Sequence, residues 1–291
     1  MRPYFLRRSC MSSQAGFSLL EMLVSTTILL IVFAMVGTAF LHSRKISLCR
    51  RLEVDTLQNA RIAIDEMTRT FRAIGFHRDK KNGQVALIEA APFQIIFNAD
   101  LSDSYDVLPP AIPLTFLYDA GSYVTPLQHY TSGAEMYRWT LDTNEDGLVD
   151  RHDVKDNAEE RLTPNPDDMV LNRECYGVSD TGMALGVDEQ IVTGLLGPYD
   201  AEDQRSYVTP MFQYWLRDHT LGLHLLGDGD GNGKLEGDEL YFDSITGLSV
   251  LKTVERIDIT VTAAAPRKDP FDHLDYYRVS LTSSVFLRNM R

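Results

Sequence analysis

The feature that most constrains this chain is an unbroken apolar run near its amino terminus. Met22 to Leu41 contains 20 residues without a charge or a proline. Because an α-helix rises about 1.5 Å per residue, this run spans about 30 Å, the thickness of a hydrocarbon core. We therefore predict a membrane-spanning helix. A secretory signal peptide is the alternative, but its apolar region usually has about 7 to 15 residues and ends in a small-residue cleavage site.

The size and charge of the chain limit which domain and which partners are expected beyond this helix. The 291 residues leave room for a sizeable domain, and the formal net charge is -13. A surface this acidic argues against bulk binding to nucleic acid, so no nucleic-acid partner is expected.

The junction before the apolar run carries a recognisable motif. Residues Ala15 to Val24 read AGFSLLEMLV, with three arginines upstream. Gly16 followed by Phe17, with Glu21 as the only acid, resembles the prepilin cleavage motif of type IV pilins and pseudopilins. The resemblance implies that a prepilin peptidase cleaves between Gly16 and Phe17, and that Phe17 is then N-methylated. Residues 1–16 would be a leader that is removed, which takes the net charge to -16.

Glu21 needs a physical reason to stand where the apolar helix starts. A carboxylate at the centre of a membrane helix costs about 2.5 to 3.5 kcal/mol, so it requires a partner or a function. We expect the amino group of Phe17 on an adjacent subunit to be its counter-ion during assembly. The alternative is a carboxylate at the level of the lipid headgroups with little effect.

A helical period continues beyond the membrane segment. Apolar residues follow steps of three and four and predict one continuous helix from about 17 to 75. These residues are Leu57, Ala60, Ile64, Met67, Phe71 and Ile74. We divide the helix into a transmembrane and assembly part, 17–41, and a periplasmic part, 42–76. Lysines and arginines flank the span on both sides, so orientation follows from the family resemblance and not from charge.

Residues 77–291 are predicted to form a β-rich head packed on this helix, which gives an α+β fold. The clearest strand is Val254 to Thr262, where apolar and polar residues alternate, with Tyr277 to Leu287 as its partner. Shorter candidates are Gln94 to Asn98, Met136 to Leu141, Met211 to Leu216 and Leu223 to Leu226. We expect long loops at Leu101 to Pro113 and Asp153 to Asp188.

Two acidic segments match the calcium-loop template. Residues 142–153 and 228–239 each place oxygen ligands around a glycine at position 6. Such spacing lets a tight turn aim alternate oxygens at one hard cation. The predicted ligands are Asp142, Asn144, Asp146, Leu148, Asp150 and Asp153 in the first loop, and Asp228, Asp230, Asn232, Lys234, Glu236 and Glu239 in the second. Leu148 and Lys234 would contribute backbone carbonyls, and two structural Ca²⁺ ions are expected. Solvated acidic turns are the alternative, because Asp, Asn and Gly also favour tight turns.

Cys49 and Cys175 are the one candidate disulfide pair left after loss of the leader, which contains the third cysteine. An oxidising periplasm would permit this bridge.

No enzyme motif is complete in the sequence: Asp228 and Leu235 break the phosphate-loop pattern, and the histidines form no helical zinc pair. We therefore expect no catalytic residues and no enzyme.

Two further segments, Gln58 to Gly75 and Tyr277 to Asn289, resemble PilW-like minor pilins. The resemblance implies a minor type IV pilin that primes assembly or sits at the pilus tip. Its partners would be the prepilin peptidase, other minor and major pilins, the assembly platform and, before assembly, the bacterial inner membrane. The head would face the periplasm and later the cell surface. A minor pseudopilin of a type II secretion system and a tip adhesin remain the alternatives.

Overall fold

A computed structural model gives the structure of the chain, and the residues that it describes fall into several ranges. They are 18–78, 80–81, 84–101, 135–141, 149, 153, 165, 167–178, 184–197, 209–218, 222–235, 245, 248–271 and 276–290.

The first element is a long helix, α1 (Leu19–Phe71), of 53 residues. No proline interrupts it, and its only glycine is Gly37. The buried residues of its second half form a stripe at helical spacing, as the sequence predicts. They are Thr56, Ala60, Ala63, Ile64, Met67, Thr70 and Phe71. Compact packing divides the chain between Cys49 and Arg50 into two units, and this stripe belongs to the second.

The end of α1 is defined by Gly75. Its φ is +76°, a left-handed conformation that only glycine adopts without strain. Its amide donates a hydrogen bond to the carbonyl of Asn98 at 2.7 Å. A Cβ at this position would lie 2.8 Å from the carbonyl oxygen of Asn289 and 2.9 Å from the Cβ of Ala86. The glycine therefore allows the chain to turn from the helix into a crowded part of the head.

In the described part of the chain, nine strands form one antiparallel sheet. They are β1 (Leu87–Ala90), β2 (Gln94–Ala99), β3 (Glu135–Thr140), β4 (Asp168–Val178), β5 (Ala184–Leu196), β6 (Phe212–Asp218), β7 (Gly222–Leu225), β8 (Val254–Lys268) and β9 (Tyr276–Phe286). A short helix, α2 (Leu248–Leu251), precedes β8. The α+β architecture expected from the sequence is confirmed.

The strand order places β8 at the centre of the carboxyl-terminal half of the sheet. The order is β1-β2-β3-β4-β5-β8-β6-β7, and β9 pairs with β8. β8 meets β5 through Leu195 and Ala263 and runs beside β9 from Arg256 to Lys268. One long strand therefore joins three neighbours, which requires pairing over large sequence separations.

The core lies between α1 and one face of the sheet. Phe71 is fully buried, and its ring centroid lies 5.5 Å from that of Phe97, 6.0 Å from that of Trp139 and 5.6 Å from that of Phe212. These edge-on and tilted contacts join the helix to β2, β3 and β6. Asn59 adds a polar contact, because its Nδ2 donates to the carbonyl of Thr193 at 3.2 Å.

The opposite face of the amino-terminal half of the sheet is polar and also buried. Arg138 donates through Nη1 to both carboxylate oxygens of Glu174 at 3.1 Å, and through Nε to Gln94 at 3.0 Å. Gln94 in turn donates to Glu89 at 3.0 Å. Because a buried ion costs several kcal/mol when unpaired, the hydrogen-bonded chain from Glu89 to Glu174 is what allows these groups to leave water.

The six strand segments predicted from the sequence correspond to β2, β3, β6, β7, β8 and β9. The prediction of a loop over Asp153 to Asp188 is wrong for its second half, because all of β4 and the first residues of β5 lie there. Met169, Val170 and Leu171 are all buried in β4, and the polar residues that follow them, Asn172 to Glu174, obscure the strand pattern. The predicted loop at Leu101 to Pro113 lies outside the described residues after Leu101.

Candidate functional site

The amino-terminal part of α1 exposes large apolar side chains on all sides. Leu19 is 84% exposed, Leu30 69% and Phe33 64%, which no soluble helix would favour. In the described residues, α1 is the one helix long and apolar enough to cross a membrane. The hydroxyls of Thr26 and Thr27 donate to the carbonyl of Leu23 at 2.9 and 2.8 Å, so these polar groups are satisfied inside the helix.

Ser18 caps this helix. Its Oγ accepts a hydrogen bond from the amide of Glu21 at 3.2 Å, and its carbonyl accepts one from the amide of Met22 at 3.2 Å. Ser18 and Glu21 occupy the two positions of a capping box, in which a serine is followed three residues later by an acid. Ser18 is a functional residue that was not predicted, although the spacing Ser-x-x-Glu before an apolar run is the signal that could have identified it.

The carboxylate of Glu21 lies in the first turn of α1, where the positive end of the helix dipole favours an acid. Within the described residues, its side chain has no hydrogen-bond partner in the same chain. Gly16 and Phe17, where cleavage and N-methylation are predicted, lie outside the described residues, and both modifications stay predictions.

The second acidic loop is described from Asp228 to Leu235, and it turns around the carboxylate of Asp228. Asp228 Oδ1 accepts from the amides of Gly231 at 2.8 Å and Asn232 at 3.2 Å, and Oδ2 accepts from Gly233 at 2.7 Å. Gly231 and Gly233 have φ of +74° and +79°, which explains glycine at both positions. The loop is thus wound around its first acid.

The charge state of Asp228 follows from these contacts. Desolvation acts to raise its pKa, but hydrogen bonds from the Gly233, Gly231 and Asn232 amides and a side-chain interaction with Asp230 together hold the pKa below its usual range. Asp228 is therefore ionised, as a cation ligand must be. Asn232 accepts from the amide of Lys234 at 2.8 Å, which fixes the next part of the turn.

Leu235 attaches the second loop to the sheet. It is buried, and it clusters with Leu225 of β7 and with the half-buried Trp215 of β6. Glu236 and Glu239, which would close the calcium shell, lie outside the described residues. Among the residues that the structure describes, no group of three His, Cys, Asp or Glu side chains is placed to hold a metal. The two described acids of this loop are Asp228 and Asp230.

The first acidic loop is described only at Val149 and Asp153. Val149 packs against the main core cluster, and Asp153 is 1% exposed. The other predicted ligands lie outside the described residues: Asp142, Asn144, Asp146, Leu148 and Asp150. Calcium binding by this loop therefore stays a prediction.

The predicted disulfide joins residues in different parts of the fold. Cys49 is half-buried on α1, and the backbone of Cys175 lies in β4 opposite Tyr137. The side chain of Cys175 is outside the described set, so this pair also stays a prediction.

Comparison with known proteins identifies the amino-terminal segment alone. Residues 11–37 match the family described as the prokaryotic N-terminal methylation motif. No curated protein and no solved structure matches the chain. The motif supports a type IV pilin-like or pseudopilin-like protein. Such a motif implies processing by prepilin peptidase and assembly with other pilins, and together with the apolar helix it is consistent with anchoring in the inner membrane. It also points to a structural subunit rather than an enzyme.

Proposed function

We propose that this chain is a minor type IV pilin that primes filament assembly or sits at the filament tip. The observation that carries the proposal is the methylation motif at residues 11–37, which overlaps the start of a capped, exposed apolar helix. The same helix then continues into a large head with a nine-stranded sheet in its described part. An anchor and a large head on one helix suit a subunit that is inserted once and displayed at the surface.

Glu21 is the residue on which assembly would depend. Its side chain has no intrachain partner among the described residues, and a carboxylate at the start of an apolar span requires a partner or a function. A positively charged amino terminus at Phe17 of a neighbouring subunit would neutralise it in the apolar interior of a filament. The attraction between these groups in a low-dielectric environment would set the axial position of one subunit against the next.

The experiment replaces Glu21 with alanine and measures how much of the chain is recovered in sheared filaments and how much stays in the membrane. We expect Glu21→Ala to remain in the membrane. Glu53→Ala is the matched control, because Glu53 is an exposed acid on the same helix. Filaments that contain both variants equally would contradict the role given to Glu21.

A minor pseudopilin of a type II secretion system shares the same motif and anchor. Co-purification separates the two: the proposal requires recovery with a retractile pilus, and recovery with a secretion pseudopilus would replace it. A tip adhesin, the third alternative, requires that deletion of Leu101 to Pro113 or of Asp153 to Asp188 abolish attachment without loss of pili. The second deletion also removes all of β4 and the start of β5, so its folding must be checked first.

Calcium is proposed as a structural component of the head. The support is the second loop, in which Asp228 is ionised and wound by backbone amides, and Leu235 attaches the loop to Leu225 and Trp215. A cation there would neutralise crowded carboxylates and stabilise the loop through its own ligands. Oxygen donors of this kind are those that Ca²⁺ prefers, at affinities of about 0.1 to 1 mM in extracellular modules.

A further inference from the structure

The outer edge of β9 is the surface that the proposed function leaves unexplained. β9 has 11 residues and pairs with β8 along one side. On its other side, the described part of the chain provides no pairing strand. An open edge of this length presents a row of unused backbone donors and acceptors, to which another extended chain can add.

The alternation of hydrogen bonds along β9 shows which of its residues point their backbone groups to this edge. The amide of Leu287 donates to the carbonyl of Glu255 at 2.8 Å, which continues the β8–β9 register by one residue. Bonding towards a partner alternates along an antiparallel strand, so the odd-numbered residues of β9 bond to β8. The amides and carbonyls of Ser280, Thr282 and Ser284 consequently point to the open edge.

β9 lacks the features that usually protect a sheet edge. Between Arg278 and Phe286 there is no proline and no lysine, and the register with β8 runs without a bulge. Natural edges are commonly blocked by such features or by a covering element. An unblocked edge in a head exposed to the envelope is therefore expected to have a partner.

The two faces beside the edge differ in chemistry, and this difference defines the partner. On the helix side, Val279 and Leu281 are half-buried and pack against the core. On the other side are exposed hydroxyls, and Thr282 lies 3.2 Å from Thr260 between their Oγ1 atoms. An added strand would thus place apolar residues on the helix side and polar residues on the hydroxyl side, in strict alternation.

The charge around β9 indicates which kind of partner strand is favoured. The segment from Tyr276 to the final residue contains three arginines and no acid, whereas the whole chain carries -13. Arg288, just after β9, is exposed. An acidic strand is therefore favoured, and a second copy of β9 is disfavoured by like charge.

We propose that the open edge of β9 binds an extended acidic segment of another polypeptide, which adds to the sheet as a further strand with alternating apolar residues. That the donor is another subunit of the filament rests on the proposed function, whereas strand addition itself does not. The surface consists of the outward backbone groups of Ser280, Thr282 and Ser284, flanked by Val279 and Leu281.

The test uses the full chain in detergent micelles and a labelled ten-residue peptide of alternating Val and Glu. Fluorescence anisotropy measures binding. A peptide of the same sequence with N-methyl groups on alternate backbone amides is the matched probe, because it has lost the donors on one side. We expect the first peptide to bind and the methylated peptide to bind at least ten times more weakly.

Variants of Thr282 locate the binding on the edge. Thr282→Pro removes an amide that β8 does not use, so the sheet should survive while peptide affinity falls at least tenfold. Thr282→Val keeps the amide and loses the same hydroxyl, so it should bind like the native chain. Circular dichroism checks that the proline variant is folded. Ser284→Glu places a new negative charge at an exposed position, so it should weaken binding of the acidic peptide several-fold at low salt. This variant tests the proposal if the proline variant does not fold.

Three results would overturn the proposal. The first is no binding of the alternating peptide, and the second is equal binding by Thr282→Pro and Thr282→Val. The third uses a Thr282→Cys variant in which the native cysteines are replaced by serine. If this variant formed disulfide-linked dimers, a second copy of the chain would occupy the edge. None of these measurements uses filaments, so they are independent of the Glu21 experiment.

Discussion

Arg173 of β4 donates through Nη1 to the carboxylate of Glu66 on α1 at 3.0 Å, and this ion pair joins the helix to the sheet. The same carboxylate accepts from Arg69 one turn along the helix at 2.5 Å. The guanidinium of Arg173 also lies 5.8 Å from the ring centre of Trp139 and bonds to Glu189. The helix is thus held on the sheet by a charged network at its border as well as by the core.

Loss of this contact should destabilise the head. Both side chains are about three-quarters buried, so we expect Arg173→Gln to lower the free energy of unfolding by about 1 to 2 kcal/mol. Denaturant unfolding of the full chain in detergent, followed by tryptophan fluorescence, measures this. Asp55→Asn is the control, because the Arg51–Asp55 pair is mostly exposed and should contribute at most about 0.5 kcal/mol. Equal effects of the two variants would argue against the network.

Gly75→Ala should be among the more damaging single changes in the head. The left-handed backbone would cost about 1 kcal/mol, and the new Cβ would collide with Asn289 and Ala86. Gly222→Ala separates the backbone strain from the steric collision, because Gly222 has a φ of +79° but no atom within 4 Å of its Cβ position. Thermal melting should show a larger loss at Gly75. Melting temperatures that fall equally would mean that the close approach contributes nothing.

Ser18 and Glu21 should be separable by experiment. Ser18→Ala removes the cap, so the amide of Glu21 should exchange hydrogen faster, with a loss of about 1 kcal/mol in the first turn. Filament incorporation should persist, because the carboxylate is unchanged. Hydrogen-exchange mass spectrometry of the full chain measures the first effect and filament shearing the second. A loss of incorporation in Ser18→Ala would show that capping, and not charge alone, is required.

Asp168 should make the stability of the head depend on pH. Burial, together with the nearby charge of Asp167, raises the pKa of Asp168 to about 8, although a hydrogen bond from Asn165 opposes the shift. The folded state therefore holds a proton that the unfolded state releases above about pH 4, so this group's stabilisation is lost as pH rises towards 8. We expect Asp168→Asn to raise stability by about 1 to 3 kcal/mol at pH 8 and to change it little at pH 4. Melting curves at the two pH values measure this, and an equal shift at both would exclude the titration.

Calcium should bind to the second loop with a dissociation constant of about 0.1 to 1 mM and raise the melting temperature of the full chain. Trp215 should report binding by fluorescence, because Leu235 links it to the loop. Asp228→Asn should remove this signal, whereas Glu53→Gln should not. Calorimetry that shows neither heat nor stabilisation with calcium would refute both predicted sites.

The β-rich head shows how far alternation of residues predicts structure. The pattern in Val254 to Thr262 identified β8 because one face is buried and the other is polar, and β9 followed as its partner. The same rule missed β4, because Arg173 and Glu174 interrupt its apolar positions. These charges are satisfied by Glu66 and Arg138, which lie more than 30 residues away in sequence. Local pattern cannot reveal such compensation.

The sequence by itself determined the anchor, the cleavage motif and the class of fold. A bilayer selects on length and hydrophobicity alone, and a processing enzyme acts on a few adjacent residues, so both properties are local. Only the tertiary structure decided that the second face of the sheet buries a chain of polar groups from Glu89 to Glu174, and that β9 pairs with β8 on one side and with no strand of the described residues on the other. The reason is physical: burial and strand pairing depend on which distant segments come together, and the cost of a buried charge depends on the partner it meets there.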